Sequence, residues 1–203
     1  MDQPQISPRT LDDATPIVPA KLAHFVLRTR RYDEVVAWYR TVLGADVVFR
    51  NERLTFLTYD DEHHRLAIIN LPDSTEGSRE QAGVDHIAFS YRDLGELLAT
   101  YLRLKAAGIL PVRPINHGPT TSFYYRDPDG LRIELQVDNF ATVSELKGYF
   151  QSADFAQNPI GVPVDPEQLV RDYRAGVPLA ELLRRPTLPD GASPWDMRRE
   201  TAR

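Results

Sequence analysis

The chain has no cysteine among its 203 residues, and this absence removes several classes of protein at once. Without thiols there is no disulfide framework and no thiolate metal site, so a bound metal would need His, Asp or Glu ligands. No apolar run approaches the roughly 18 residues of a membrane span. The N-terminus also lacks the basic and apolar regions of a secretory signal. We therefore expect a cytoplasmic protein with no membrane partner.

Charge and composition argue against a nucleic-acid partner. The formal net charge is −5 at pH 7, and no basic stripe is interleaved with aromatic residues. The hydrophobic fraction of 42% is ordinary for a globular protein, and 203 residues suffice for one domain with an appendage. We expect no nucleic-acid binding.

A unit of one strand, one helix and three further strands occurs twice, with a period of about 62 residues. Residues 21–27 predict the first strand of the first copy, and residues 83–89 repeat it with His86 in the place of His24. Asp33 is expected to cap a helix with an apolar stripe that ends at Gly44, and Asp93 is expected to cap a second such helix that ends at Gly108. The other strands are expected at 45–51, 53–59, 65–71, 109–115, 122–125 and 131–137. The sequence thus predicts two βαβββ modules, residues 21–71 and 83–138.

The two ends of the chain differ from this repeat. Residues 1–20 have no periodicity and predict an N-terminal arm, punctuated by Pro4, Pro8, Pro16 and Pro19. Residues 140–203 predict a helical C-terminal extension, with a capping box at Thr142 and Glu145 and a further helix that begins after Asp165. The extension carries too many apolar side chains for a free tail. We expect it to be structural, packed on the sheet or on a second subunit.

A turn followed by an alternating strand puts one carboxylate in an unusual place. Asp127-Pro128-Asp129-Gly130 has the composition of a tight turn, with Pro and Gly at positions that favour it. The strand after it alternates apolar and polar residues, and its apolar members are Leu131, Ile133, Leu135 and Val137. Glu134 therefore lies in mid-strand on the face opposite the core. A solvated cleft or a bound metal would explain a carboxylate at this position.

Two histidines and this glutamate predict a metal site. His24 and His86 lie at equivalent positions of the repeat, and superposing the modules puts Ala67 where Glu134 lies, so a potential fourth ligand is missing. A single histidine in a strand is more often structural, but two at equivalent positions with a carboxylate on the same face favour a metal. Two His and one carboxylate with open positions are typical of non-haem Fe(II) oxygenases. Zn(II) would suit the same ligands.

The stretch from His117 to Glu134 also resembles a known signature. His117 is followed by Phe123-Tyr124, by Asp127-Pro128-Asp129-Gly130 and by Glu134. This pattern resembles that of the type I extradiol ring-cleavage dioxygenases, within the vicinal oxygen chelate (glyoxalase/bleomycin resistance) superfamily. With so many fixed positions, the match is far more specific than a short motif.

The resemblance implies an architecture and a metal. The expected fold is α+β, with the two modules in residues 21–139 forming one curved mixed sheet around a metal cleft. The expected ligands are His24, His86 and Glu134, with Fe(II) as the metal, Mn(II) as an alternative and O2 as co-substrate.

The resemblance also implies functions for three other side chains. His64 corresponds to an acid/base histidine near the O2 position, and His117 and Tyr124 correspond to groups that orient the substrate. Without the metal ligands, a solvated pair in an acidic turn is the simpler interpretation of His63 and His64, and strand packing is the simpler one of Tyr124. His63 is expected to be structural.

The function that the resemblance implies is extradiol (meta) cleavage of a catechol-type aromatic diol by a homo-oligomer. Two alternative functions would use the same cleft. One is another metal-dependent member of the superfamily, such as an isomerase, epimerase or thiol transferase. The other is a metal-free small-molecule binding or resistance protein, which would have no need of the His, His and Glu set. The better-known ring-cleavage enzymes carry two paired modules of this kind, whereas this chain carries one pair.

Overall fold

The computed structural model describes residues 16, 18–75 and 82–198. Most of the predicted N-terminal arm, residues 1–15 and 17, lies outside the described residues. Within those that are described, no helix is long and apolar enough to cross a membrane.

The first module folds in the predicted order. Its elements are β1 (Phe25–Thr29), α1 (Tyr32–Leu43), β2 (Asp46–Arg50), β3 (Leu54–Thr58) and β4 (Leu66–Asn70). The strands form a four-stranded sheet in the order β1-β4-β3-β2, with β1 parallel to β4. Gly44 ends α1 at a φ of 65°, in the left-handed region that favours glycine. The prediction that Asp33 caps α1 is wrong, because Asp33 lies inside the first turn and pairs with Arg50.

The second module repeats this arrangement and gains a strand. Its elements are β5 (His86–Ser90), α2 (Leu94–Ala106), β6 (Arg113–Asn116), β7 (Thr120–Arg126) and β8 (Arg132–Asp138). The five-stranded sheet has the order β5-β8-β7-β6-β9, in which β9 (Val162–Pro163) comes from the C-terminal extension. Asp93 caps α2 as predicted, since its side chain accepts a hydrogen bond of 2.9 Å from the backbone N–H of Glu96.

The α+β fold class and the two βαβββ modules are confirmed, with one difference in the sheet. The sequence predicted a single curved sheet, but backbone pairing between described strands stays within each module and gives two sheets. The edge strands β1 and β5 approach each other through side chains, and the rings of Phe25 and Phe89 are 6.0 Å apart. The difference arises because β1 pairs with β4 and β5 with β8, so each module completes its own hydrogen bonding.

The pairing registers of the two modules correspond residue by residue. Val26 lies opposite Ala67 in the first sheet, and Ala88 lies opposite Glu134 in the second. Ala67 therefore has the position in its module that Glu134 has in the other.

The C-terminal extension packs onto the repeat and shares its core. It contains α3 (Val143–Phe150), α4 (Ala153–Gln157), α5 (Pro166–Arg174), α6 (Leu179–Leu182) and a 3-10 helix (Pro194–Arg198). The side chains of Leu169, Val170 and Leu182 belong to the buried apolar cluster that includes the inner faces of α1 and α2. Burial of these groups explains why the extension is not a free tail.

Candidate metal centre and active site

Glu134 is a buried carboxylate in the middle of the second sheet. Its strand, β8, lies between β5 and β7, and Glu134 is opposite Ala88 on one side and Tyr124 on the other. The residue is 4% exposed although it carries an ionisable group. A buried carboxylate requires polar partners, and here the neighbouring strands provide them.

His86 is the first partner of Glu134. Its Nε2 lies 2.9 Å from Oε2 of Glu134, while its Nδ1 lies 2.7 Å from a carboxylate oxygen of Asp85, which in turn pairs with Arg132. The hydrogen bond to Glu134, supported by that to Asp85, raises the pKa of His86 above its usual value despite partial burial. Burial raises the pKa of the Glu134 carboxyl, but hydrogen bonds from His86 and Ser122 outweigh it, and the net pKa is lowered.

His117 and Tyr124 lie on the other side of the same carboxylate. Nε2 of His117 is 3.0 Å from the hydroxyl of Tyr124 and 3.9 Å from Oε1 of Glu134. Burial lowers the pKa of His117, so the ring is neutral at neutral pH. Burial and the charge of Glu134 raise the pKa of Tyr124, which keeps its hydroxyl proton. The pair therefore offers one imidazole and one neutral phenol next to the carboxylate.

A second group of imidazoles lies in the first module. The ring centroid of His64 is 4.3 Å from that of His24 and 4.4 Å from the ring of Phe56, on which it stacks. His63 is exposed, and its Nδ1 is 2.6 Å from Nδ1 of His64. Burial, followed by the neighbouring His24 and His63, lowers the pKa of His64. This makes His64 a neutral base at neutral pH.

The predicted site residues thus fall into two groups. The structure brings together His86, His117, Tyr124 and Glu134, whereas His24 contacts His64. Among residues 16, 18–75 and 82–198, no three His, Asp or Glu side chains converge closely enough to hold a metal ion as they stand. His24 immediately precedes β1 and lines a small cavity together with Ala88 of β5, at the edge where the two sheets approach.

Several residues of this region were not anticipated from the sequence. Asp85 holds His86, and the backbone carbonyl of Ile160 accepts a hydrogen bond from Nδ1 of His117. Arg113 lies over the ring of Tyr124, with its guanidinium carbon 5.3 Å from the ring centroid. Asp85 could have been found as the carboxylate next to a candidate ligand, a common arrangement around metal-binding histidines. A backbone carbonyl leaves no signal in a sequence.

The sequence model of the Glyoxalase/Bleomycin resistance protein/Dioxygenase superfamily matches residues 21–135, and the chain belongs to that superfamily.

Two proteins from one organism are similar to this chain over most of its length. The chain is 45% identical over 170 residues to biphenyl-2,3-diol 1,2-dioxygenase 3 of Rhodococcus globerulus, which covers 83% of this chain and 90% of that protein. It is 44% identical over 160 residues to biphenyl-2,3-diol 1,2-dioxygenase 2 of the same organism, over 78% and 84% of the two chains.

A solved structure supports the fold alone. The glyoxylase/bleomycin resistance protein/dioxygenase domain from Frankia sp. EAN1pec superposes with a TM-score of 0.50 at 18% identity. The superposition covers 60% of this chain and 99% of that domain.

Proposed function

We propose that this protein opens the ring of a catechol-type aromatic diol with O2, by extradiol cleavage at a non-haem Fe(II) ion. The observation that carries the proposal is the convergence of His86, His117 and Tyr124 on the buried carboxylate of Glu134. Two relatives with more than 40% identity over most of the chain bear the name of biphenyl-2,3-diol 1,2-dioxygenase, which supports an aromatic diol as substrate and O2 as co-substrate.

The residues fit a divalent metal. Nε2 of His86 and Oε2 of Glu134 are separated by 2.9 Å, and imidazole nitrogen and carboxylate oxygen are both donors that would hold such an ion. His24 would be the third ligand, from the start of β1 beside β5. Because the His24 side chain is exposed, a change of its rotamer can redirect the ring.

Fe(II) held in this way would supply a Lewis acid for the diol oxygens and a centre through which electrons reach O2. Three protein ligands leave positions open for both reactants. Mn(II) is the alternative metal, because it is suited to the carboxylate of Glu134 and to the oxygen atoms of a diol.

His64 is the proposed acid/base. A diol binds a metal ion more strongly after it loses a proton. A neutral imidazole with a lowered pKa can accept that proton at neutral pH. Stacking on Phe56 fixes the plane of the ring. The contact with His24 keeps the ring next to a proposed ligand, which is where the proton must be taken up and later returned.

His117 and Tyr124 are proposed to orient the substrate. The Tyr124 hydroxyl stays protonated and lies 3.0 Å from Nε2 of His117, to which it can donate its single hydrogen. Its oxygen can then accept a hydrogen bond from a diol hydroxyl. Tyr124 is buried and His117 is partly buried, so a hydrogen bond to substrate forms largely away from bulk water, where it is stronger.

The reaction can be tested by anaerobic reconstitution of the chain with Fe(II), followed by addition of air and a panel of monocyclic, bicyclic and biaryl catechols. The proposal predicts a yellow ring-opened product, consumption of one O2 per diol, and incorporation of both atoms of 18O2. A superfamily isomerase, epimerase or transferase would act without consuming O2. A binding protein would give no product, and either result would overturn the proposal.

A further inference from the structure

The C-terminal extension reaches into the candidate active site at one point. The backbone carbonyl of Ile160 accepts a hydrogen bond from Nδ1 of His117. A carbonyl oxygen can only accept, so Nδ1 must carry the hydrogen, and in the neutral ring Nε2 is the unprotonated nitrogen. Nε2 is the atom that faces Tyr124, at 3.0 Å from its hydroxyl. The tautomer of His117 is therefore set by the extension and not by the repeat.

That carbonyl belongs to a turn, residues 158–161, whose side-chain hydrogen bonds are internal. The buried amide of Asn158 accepts from the backbone N–H groups of Ile160 at 3.1 Å and Gly161 at 2.8 Å, and donates to the Gly161 carbonyl at 3.0 Å. Gly161 has a φ of 111°, and a Cβ at this position would overlap the carbonyl oxygen of Asn116 and the Cα of His117. The 158–161 turn thus packs directly against the backbone that carries His117.

Arg185 connects this turn to the backbone of His117 by hydrogen bonds. Its Nη1 donates to the carbonyl of Asn158 at 2.5 Å and to that of His117 at 3.4 Å, and its Nη2 donates to the carbonyl of Asp154 at 2.9 Å. The same Nη2 lies 2.8 Å from the Asp154 carboxylate, and the Arg185 side chain is only 7% exposed. One planar guanidinium therefore ties the His117 backbone, the 158–161 turn and the region of α4 together.

We propose that the C-terminal extension is a positioning device for the active site: Arg185 holds the 158–161 turn in place, and the turn fixes the ring orientation and tautomer of His117. The extension is then more than structural packing, because two of its side chains, Arg185 and Asn158, act on substrate orientation through His117. The inference rests on the proposed function only for the task given to His117.

The test compares Arg185→Ala and Arg185→Lys with Arg184→Ala, which removes an exposed arginine from the neighbouring position. Each full-length chain is labelled with 15N-histidine, and the tautomer of His117 is measured from its imidazole nitrogen shifts in metal-free protein, which avoids paramagnetic broadening. The turnover of a catechol by the iron-loaded chains is measured alongside. The wild type and Arg184→Ala should hold His117 as the Nδ1–H tautomer.

Arg185→Ala should give a mixture of tautomers and a kcat about 10- to 100-fold lower, because a small displacement of an orienting group costs that much. KM should change less than kcat, since misorientation of a bound substrate weakens mainly the interactions made in the transition state. Arg185→Lys keeps the positive charge but lacks the planar guanidinium. Its tautomer mixture and its kcat should lie between those of the wild type and those of Arg185→Ala. Should Arg185→Ala fail to fold, Arg185→Lys and Asn158→Asp, which loses the amide donor, provide the same readouts.

A single Nδ1–H tautomer in the folded Arg185 and Asn158 variants, with wild-type kcat, would overturn the inference. So would a loss of activity that follows melting temperature while the tautomer stays unchanged. If the tautomer responds as expected but the wild type opens no catechol, the positioning device stands and the proposed function fails.

Discussion

Nε2 of His86 lies 2.9 Å from a carboxylate oxygen of Glu134, across two strands that pair in parallel. The hydrogen bond gives the buried carboxylate a polar partner, which offsets the cost of removing it from water. The same separation suits two ligands of one ion. In the proposed metal site, His86 and Glu134 would give up their hydrogen bond, and each would bind the ion.

Replacing His64 separates acid/base chemistry from metal binding. His64→Phe should leave the iron content near that of the wild type and lower kcat by about 10²- to 10⁴-fold, the usual contribution of a general acid or base. Phe retains a flat ring that can stack on Phe56, as His64 does. Iron analysis and steady-state kinetics provide the measurement.

The matched control is His63→Phe at the adjacent, exposed position. A small effect there and a large one at His64 would support the assignment. Equal effects, or turnover that survives His64→Phe, would show that His64 is not the acid/base.

Removing the Tyr124 hydroxyl tests substrate orientation. Tyr124→Phe loses the group that contacts His117 at 3.0 Å and keeps the buried ring, so the fold should be retained. The loss of one hydrogen bond in a buried site costs about 1–3 kcal/mol, and we expect kcat/KM to fall by about 10- to 100-fold. Steady-state kinetics with a catechol checks this value, and an unchanged kcat/KM would mean that Tyr124 only packs.

Metal affinity should increase with pH. The contacts of His86 with Glu134 and Asp85 raise its pKa above the ordinary value of 6.5, so a proton competes with the metal to higher pH than usual. The Glu134 pKa is lowered, so this carboxylate is already ionised in that range. Below the raised pKa of His86, affinity for Zn(II) should rise by up to about tenfold per pH unit and then level off.

Calorimetric titration with Zn(II) between pH 6 and 9 measures this dependence. Asp85→Asn removes one cause of the raised pKa, and should move the plateau to lower pH. An affinity that is independent of pH in this range would contradict a metal site that includes His86.

Packing of the extension on the core can be measured by stability. Leu182→Ala removes a side chain that is 9% exposed and joins the main apolar cluster, whereas Leu179→Ala alters the same short helix at a position that is 49% exposed. We expect losses of about 2–3 kcal/mol for the first and below about 0.5 kcal/mol for the second. Equal values in urea denaturation would mean that the extension does not stabilise the folded domain.

The main fold and part of the site could be predicted because each leaves a pattern in the chain. The repeat predicted both modules, and the alternation around Glu134 predicted its place in mid-strand, as β8 confirms. The turn before it, with Gly130 at a φ of 87°, was predicted from its composition.

Other features depend on contacts between distant segments, which a sequence does not record. The pairing of β9 with β6 involves only two residues of the extension, too few for a periodic signal. The Ile160 carbonyl that faces His117 has no side-chain signature. The direction of the His24 ring depends on a rotamer, and its contact with His64 could not be inferred from position in the repeat.

The most direct test of the account is the iron content of the chain and of three variants, His24→Ala, His86→Ala and Glu134→Gln, after anaerobic loading with Fe(II) and gel filtration. Gln136→Ala, an alteration elsewhere on the same strand, is the matched control. The account predicts one iron per chain in the wild type and the control, and loss of most of it in all three ligand variants. Full iron occupancy in any of these three would contradict the proposed metal site.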